Sequence, residues 1–146
     1  MTRSSAVVGP VAGIEIAGSE LRIVLMVATP GLAPEQKFAT RVRLSAAGAT
    51  PGANLKMTMD TIAGILSTNR VAQISMIGAD KNSGVPRVKL ETLVELLAHQ
   101  LRIPTELVAI KTVNTYAAKR TDPPMTSLLG KDFQRAATAA LRTLGQ

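Results

Sequence analysis

A chain of 146 residues, 46% of them hydrophobic, is long enough to bury one domain's core and too apolar to be disordered by composition. The absence of cysteine excludes disulfides, thiolate metal sites and cysteine nucleophiles, and with Phe38, Tyr116 and Phe133 as its aromatics the core has to be aliphatic. A net charge of +7, from 17 Lys and Arg against 10 Asp and Glu, leaves two readings: an anionic partner, chiefly nucleic acid, or a merely solubilising surface.

Residues 1–10 read as a loose lead-in to a domain spanning 1–146. Met1–Ala6 has no long apolar stretch of the kind a secretory signal needs, and the longest apolar run, residues 23–28, is far too short to cross a bilayer. The expectation is a soluble cytoplasmic protein with no membrane partner. Residues 11–17 are apolar except for Glu15, and residues 20–28 alternate Leu21, Ile23, Leu25 and Val27 with Arg22, Val24 and Met26. Ala17-Gly18-Ser19 supplies the turn between them, because Gly tolerates positive φ. Glu15 stands out, since a carboxylate inside a first strand either faces solvent or belongs to a site.

Residues 37–44 alternate again and predict a third strand, with Arg41 and Arg43 on its solvent face. Residues 46–52 are loop. Leu55, Met59, Ile62, Ile65 and Leu66 recur at helical spacing, so 54–68 is an amphipathic helix with Asn54 as its cap. Gly64 weakens that helix unless it packs closely on a sheet. Residues 71–77 are a buried strand and 78–86 a polar loop. Residues 87–101 form a second helix, with Val88, Leu90, Leu93, Val94, Leu97 and Leu101 as its apolar stripe. Residues 106–111 are a short strand and 112–119 a small helix. Asp122-Pro123-Pro124 is a break, and 132–144 is an Ala-rich helix burying Phe133, Ala136, Ala137, Ala140, Leu141 and Leu144. The order is β-β-β-α-β-α-β-α. An antiparallel meander feeding two crossover units predicts a mixed five-stranded α/β sheet with helices on both faces.

That order, with Gly13-Ile14-Glu15-Ile16-Ala17-Gly18 at its start, resembles the RNase H-like superfamily. In its Holliday-junction resolvases an acidic residue on the first strand precedes a glycine turn. Val88-Lys89-Leu90-Glu91 and residues 110–120 look closest to a family of small bacterial proteins of unknown function with this fold. The resemblance implies a divalent-metal nuclease centre in active members. Three or four carboxylates converge at one sheet end and hold two Mg²⁺ ions about 4 Å apart. Glu15 matches the first position and is the candidate metal ligand. The second falls at Met76-Ile77-Gly78, with Asp80 two residues beyond. The last falls in Gln134-Arg135-Ala136-Ala137, which puts Arg135 where an acid would be, with Asp132 one helical turn earlier. Glu15, Asp80 and Asp132 are thus the candidate catalytic set, and a displaced one. The alternative has Glu15 at a solvated edge, Asp80 in a turn and Asp132 as a first-turn charge favoured by the helix dipole.

The implied function is an RNase H-like domain with a degenerate acidic centre, non-catalytic and with no cofactor. Mg²⁺ enters only if the acids are active. Nucleic acid is the implied partner, on a basic rim of Lys81, Arg87, Lys111, Lys119, Arg120 and Arg135. The alternatives are a protein-interaction module and a working metal nuclease. With so few aromatics, binding by base stacking is disfavoured and duplex is the expected form. His99, the sole histidine, lies off the apolar stripe and reads as a surface residue.

Overall fold

The computed structural model describes residues 9–29, 31–32, 34–43, 51–78, 84–119 and 131–145. Within them run β1 (Val11–Ala17), β2 (Glu20–Val27), β3 (Glu35–Arg43), α1 (Pro51–Thr68), β4 (Gln73–Ile77), α2 (Val85–Gln100), β5 (Thr105–Val108) and α3 (Ile110–Ala118). A 3-10 turn (Lys131–Phe133) then leads into α4 (Gln134–Thr143). The strands form one sheet in the order β3-β2-β1-β4-β5. β1, β2 and β3 are antiparallel neighbours, and β4 and β5 add in parallel beyond β1. Meander and crossovers are therefore as expected. The β1–β2 turn carries Gly18 at φ +62°, which an L side chain rarely adopts.

Side chains alternate across the sheet. Ala12, Ile14, Ile16, Leu21, Ile23, Leu25, Ile74 and Met76 are buried on one face with Ile62 and Leu66 of α1 and Leu90, Val94, Leu97 and Ala98 of α2. Full burial of each large aliphatic side chain contributes about 1.5–3 kcal/mol. On the other face Val11, Val24 and Met26 pack under Ala136, Ala137, Ala140, Leu141 and Leu144, while Ile77 and Val108 meet Val113 and Ala139. The alanines of α4 let its backbone lie close to the sheet. Gly13 completes the fit, since a Cβ there would fall 1.8 Å from the Ala136 carbonyl oxygen.

Several boundaries move, each for a local reason. α1 starts at Pro51, because proline suits a first helical position, whose N–H has no intrahelical partner. Asn54 therefore lies inside the helix, where its carbonyl accepts a hydrogen bond from Thr58 Oγ1. Gly64 is exposed with open space around its Cα, so it is not the close-packing position expected of it. β4 starts at Gln73, since Val71 and Ala72 donate to Leu66 and Pro10 outside the main ladder. β5 ends at Val108, because Ala109 caps α3 and accepts from Thr112 and Val113; Lys111 is therefore helical. In α2 the buried face is Leu90, Val94, Leu97 and Ala98, while Val88 and Leu101 are 48% and 37% exposed. Among the described residues no helix is long and apolar enough to cross a membrane.

Candidate functional site

The C-terminal ends of β1, β4 and β5 point the same way because these strands are parallel. The antiparallel β2 starts at that end and β3 finishes there. Register then decides which charges meet. Glu15 lies opposite Arg22, Arg22 opposite Arg41, and Glu20 opposite Arg43. Directly opposed residues have Cβ atoms about 5 Å apart, close enough for ion pairs. All five belong to the face that α4 covers, and the start of α4 adds Asp132 and Arg135.

Glu15 is 7% exposed. Arg135 Nη1 donates to its Oε2 at 3.3 Å, and Arg22 Nη1 stands 3.7 Å from its Oε1. Glu20 holds three arginines. Arg22 Nε donates to it at 2.7 Å, Arg43 Nε donates at 3.0 Å, and Arg41 Nε lies 3.6 Å away. Arg41 Nη2 donates to Asp132 Oδ2 at 2.7 Å, and Arg22 Nη1 reaches the Asp132 carbonyl oxygen at 3.4 Å. The Arg41 guanidinium also sits 5.1 Å from the centre of the Phe133 ring, within cation–π range. Four guanidiniums thus interlock with three carboxylates. The Arg22 hydrogen bond holds the Glu20 carboxyl below its ordinary pKa against an opposing effect of burial, with further help from Arg43 and Arg41. The same bond with Glu20 raises the Arg22 pKa.

The structure brings Glu15 and Arg135 together and ties Asp132 to Arg41 instead of to Glu15. Asp80, Lys81 and Arg120 lie outside the described residues. Arg87 Nη2 donates to the Gly78 carbonyl at 3.1 Å, which fastens the end of β4. Its Nε is buried without a hydrogen bond among the described residues. Lys111 lies in the first turn of α3 and Lys119 caps its C-terminus, flanking a groove whose other wall is α4. His99 is exposed on α2. Sequence reasoning missed Glu20 and Arg22 and left Arg41 and Arg43 to solvent. The signal was present in the period-two spacing of both pairs and the short hairpin turn, which together place them across from one another.

These residues do not fit a metal pair. Among the described residues no group of three acids or histidines can hold an ion. Both Glu15 oxygens face guanidiniums, and a divalent cation needs hard oxygen donors without a cation beside them. At an effective dielectric of about 20, two unit charges 4 Å apart repel by about 4 kcal/mol, and a dication doubles that. The arrangement offers guanidinium donors instead, and Arg43 and Arg135 have side chains 70% and 58% exposed.

No family model matches the chain, and no curated protein matches its sequence. Its backbone is similar to that of Thermus thermophilus RuvC, with a TM-score of 0.68 and 12% identity over 92% of this chain and 91% of that one. It is equally similar to T. thermophilus RuvC in complex with a Holliday junction substrate, with a TM-score of 0.69 and 13% identity over 92% and 90% of the two chains. Identity this low speaks to architecture alone, and the sheet order agrees with it: the fold is RNase H-like.

Proposed function

We propose that this chain is a nucleic-acid-binding domain whose RNase H-like sheet end works through arginine and lysine rather than through a metal-dependent carboxylate centre. The observation that carries this reading is the contact of Arg135 with Glu15, 3.3 Å from guanidinium to carboxylate, backed by Arg22 on the other oxygen. A carboxylate held this way serves as an anchor for cations. It is not free to accept a proton from water or to ligate Mg²⁺ unless both arginines withdraw. Each guanidinium has five N–H donors, and its carboxylate partner occupies one or two of them. The remainder on the exposed Arg41, Arg43 and Arg135 can donate to phosphate oxygens, for which the planar fork is well matched. The +7 charge and the junction-bound state of the T. thermophilus neighbour support nucleic acid as the partner class.

The test is fluorescence anisotropy with labelled duplex and four-way-junction DNA, run in EDTA and in Mg²⁺, with strand integrity followed on gels. The expected result is binding that persists in EDTA, weakens steeply with salt and leaves the strands intact. Cleavage in Mg²⁺ or Mn²⁺ that is lost in Glu15→Gln would instead establish the nuclease. Undetectable binding at low salt would transfer the basic surface to a protein partner.

A further inference from the structure

Helix α3 is anchored by Val113 and turns a different set of side chains outward. Lys111, Thr112, Thr115, Tyr116 and Lys119 line a groove of about 370 Å³, with Arg142 of α4 on the other wall. That volume is in the range of small-ligand sites. Lys111, Thr115 and Lys119 repeat every four residues and so form one row on the helix. The two lysines are about 12 Å apart along the axis, at 1.5 Å per residue. Between them lie threonine hydroxyls and the half-buried Tyr116, which packs against the α4 core. The charges here differ from those at the sheet end. Among the described residues neither lysine has an ion-pair partner. The carboxylate on this side, Glu106, is already bonded by Arg142 Nη1 at 3.1 Å and Thr143 Oγ1 at 3.3 Å. Among the described residues the groove lining thus carries three cations, of which Arg142 is paired with Glu106.

We infer that this groove holds an unpaired nucleic-acid strand, an inference that rests on the nucleic-acid reading above. Phosphates two steps apart along the strand meet Lys111 and Lys119, and a sugar or base between them lies against Tyr116 and the threonine methyl groups. A duplex presents a stiff ridge of phosphates and keeps its bases stacked inside, so it neither enters the recess nor seats its backbone on both lysines. An unpaired nucleotide can turn one base into the recess against the exposed part of Tyr116, the one aromatic lining it; a run of stacked bases finds no platform here, but this single contact tolerates any sequence because every base has a π-face. The groove therefore distinguishes strand state, which a flat basic surface does not.

The test uses the full chain with labelled oligothymidylate and a duplex of equal length, titrated by anisotropy at several salt concentrations. The wild type should favour the single strand. Replacing Lys111 and Lys119 together by Ala should weaken single-strand binding at least about tenfold. The slope of log K against log salt should flatten by about 1.4, at roughly 0.7 per single-strand phosphate contact. Duplex affinity should change much less. Thr115→Glu, an exposed position that keeps the helix, should abolish the preference without moving the thermal midpoint. Arg70→Asn, which retains the left-handed backbone of that residue far from α3, should change neither probe. Equal losses for both probes in the lysine variant would overturn the groove while leaving nucleic-acid binding in place. No binding of either probe to the wild type at low salt would overturn both readings.

Discussion

Arg135 Nη1 donates to Glu15 Oε2 at 3.3 Å, on a strand that is otherwise apolar. Their meeting depends on how deeply α4 settles on the sheet, and that is set by Gly13 and the alanines rather than by either charged residue. The pair yields a direct prediction. Arg135→Glu should place a second carboxylate beside Glu15 and remove the cation. The variant should melt lower than wild type, and millimolar Mn²⁺ should raise its midpoint by a few degrees more than it raises the wild type's. Ligand at ten times Kd stabilises by about 1.4 kcal/mol, which in a chain of this size is worth about 2–4 °C per kcal/mol. Equal Mn²⁺ shifts in the two proteins would show that the arginine does not occupy the cation's place. Glu20 gives a pH prediction. Its folded pKa lies below the ordinary value, so its stabilisation is present above the ordinary carboxylate range and is lost as pH falls through the folded value. The midpoint difference between wild type and Glu20→Gln should therefore be full near pH 7, shrink below about pH 4 and vanish in stronger acid.

The elements themselves followed from periodicity, while their ends were set by chemistry that periodicity does not register. Apolar residues three and four apart identified α1, α2 and α4, and period-two runs identified β2 and β3. Proline at the start of α1 and the Ala109 cap of α3 moved those boundaries by two or three residues. The two glycines most open to misreading are Gly13 and Gly64, and their environments are opposite. An added Cβ at Gly13 meets backbone, 1.8 Å from the Ala136 oxygen and 2.8 Å from its carbon, so nothing flexible can yield. Gly13→Ala should destabilise the fold by about 3 kcal/mol or more by lifting α4 off β1, the upper range for overpacking. Gly64 sits in an exposed helix interior with nothing within 4 Å of the added atom. Gly64→Ala should stabilise by about 0.5–1 kcal/mol through helix propensity and a less flexible unfolded chain. Urea unfolding of both variants checks the pair. A destabilised Gly64→Ala would return that glycine to a packing role.

At the scale of the whole molecule, the order of strands and helices was enough to predict which strands run parallel, and so which loops share the sheet end with Glu15. It was not enough to show how charge divides over that surface, because ion pairing follows the strand register of β1, β2 and β3. Among the described residues two regions differ: an interlocked arginine cluster close to neutral, and a lysine groove with little compensation. Glu20 is the centre of the first, since three of the four guanidiniums lie on it. Its carboxylate holds the β1–β2–β3 end together and competes with phosphate for the same N–H donors. Glu20→Gln keeps the shape and removes that competition. The variant should unfold more easily at pH 7 and yet bind duplex DNA more tightly at low salt. The slope of log K against log salt should steepen by about 0.9 to 1.8, as Arg41 or Arg43, or both, gain a phosphate contact worth roughly 0.9 each. Arg22, with its side chain 21% exposed, should add little. Tighter binding with an unchanged slope would mean that the gain is general attraction and the arginines do not reach the backbone. Weaker binding would mean that phosphate contact needs the guanidiniums in the positions Glu20 gives them.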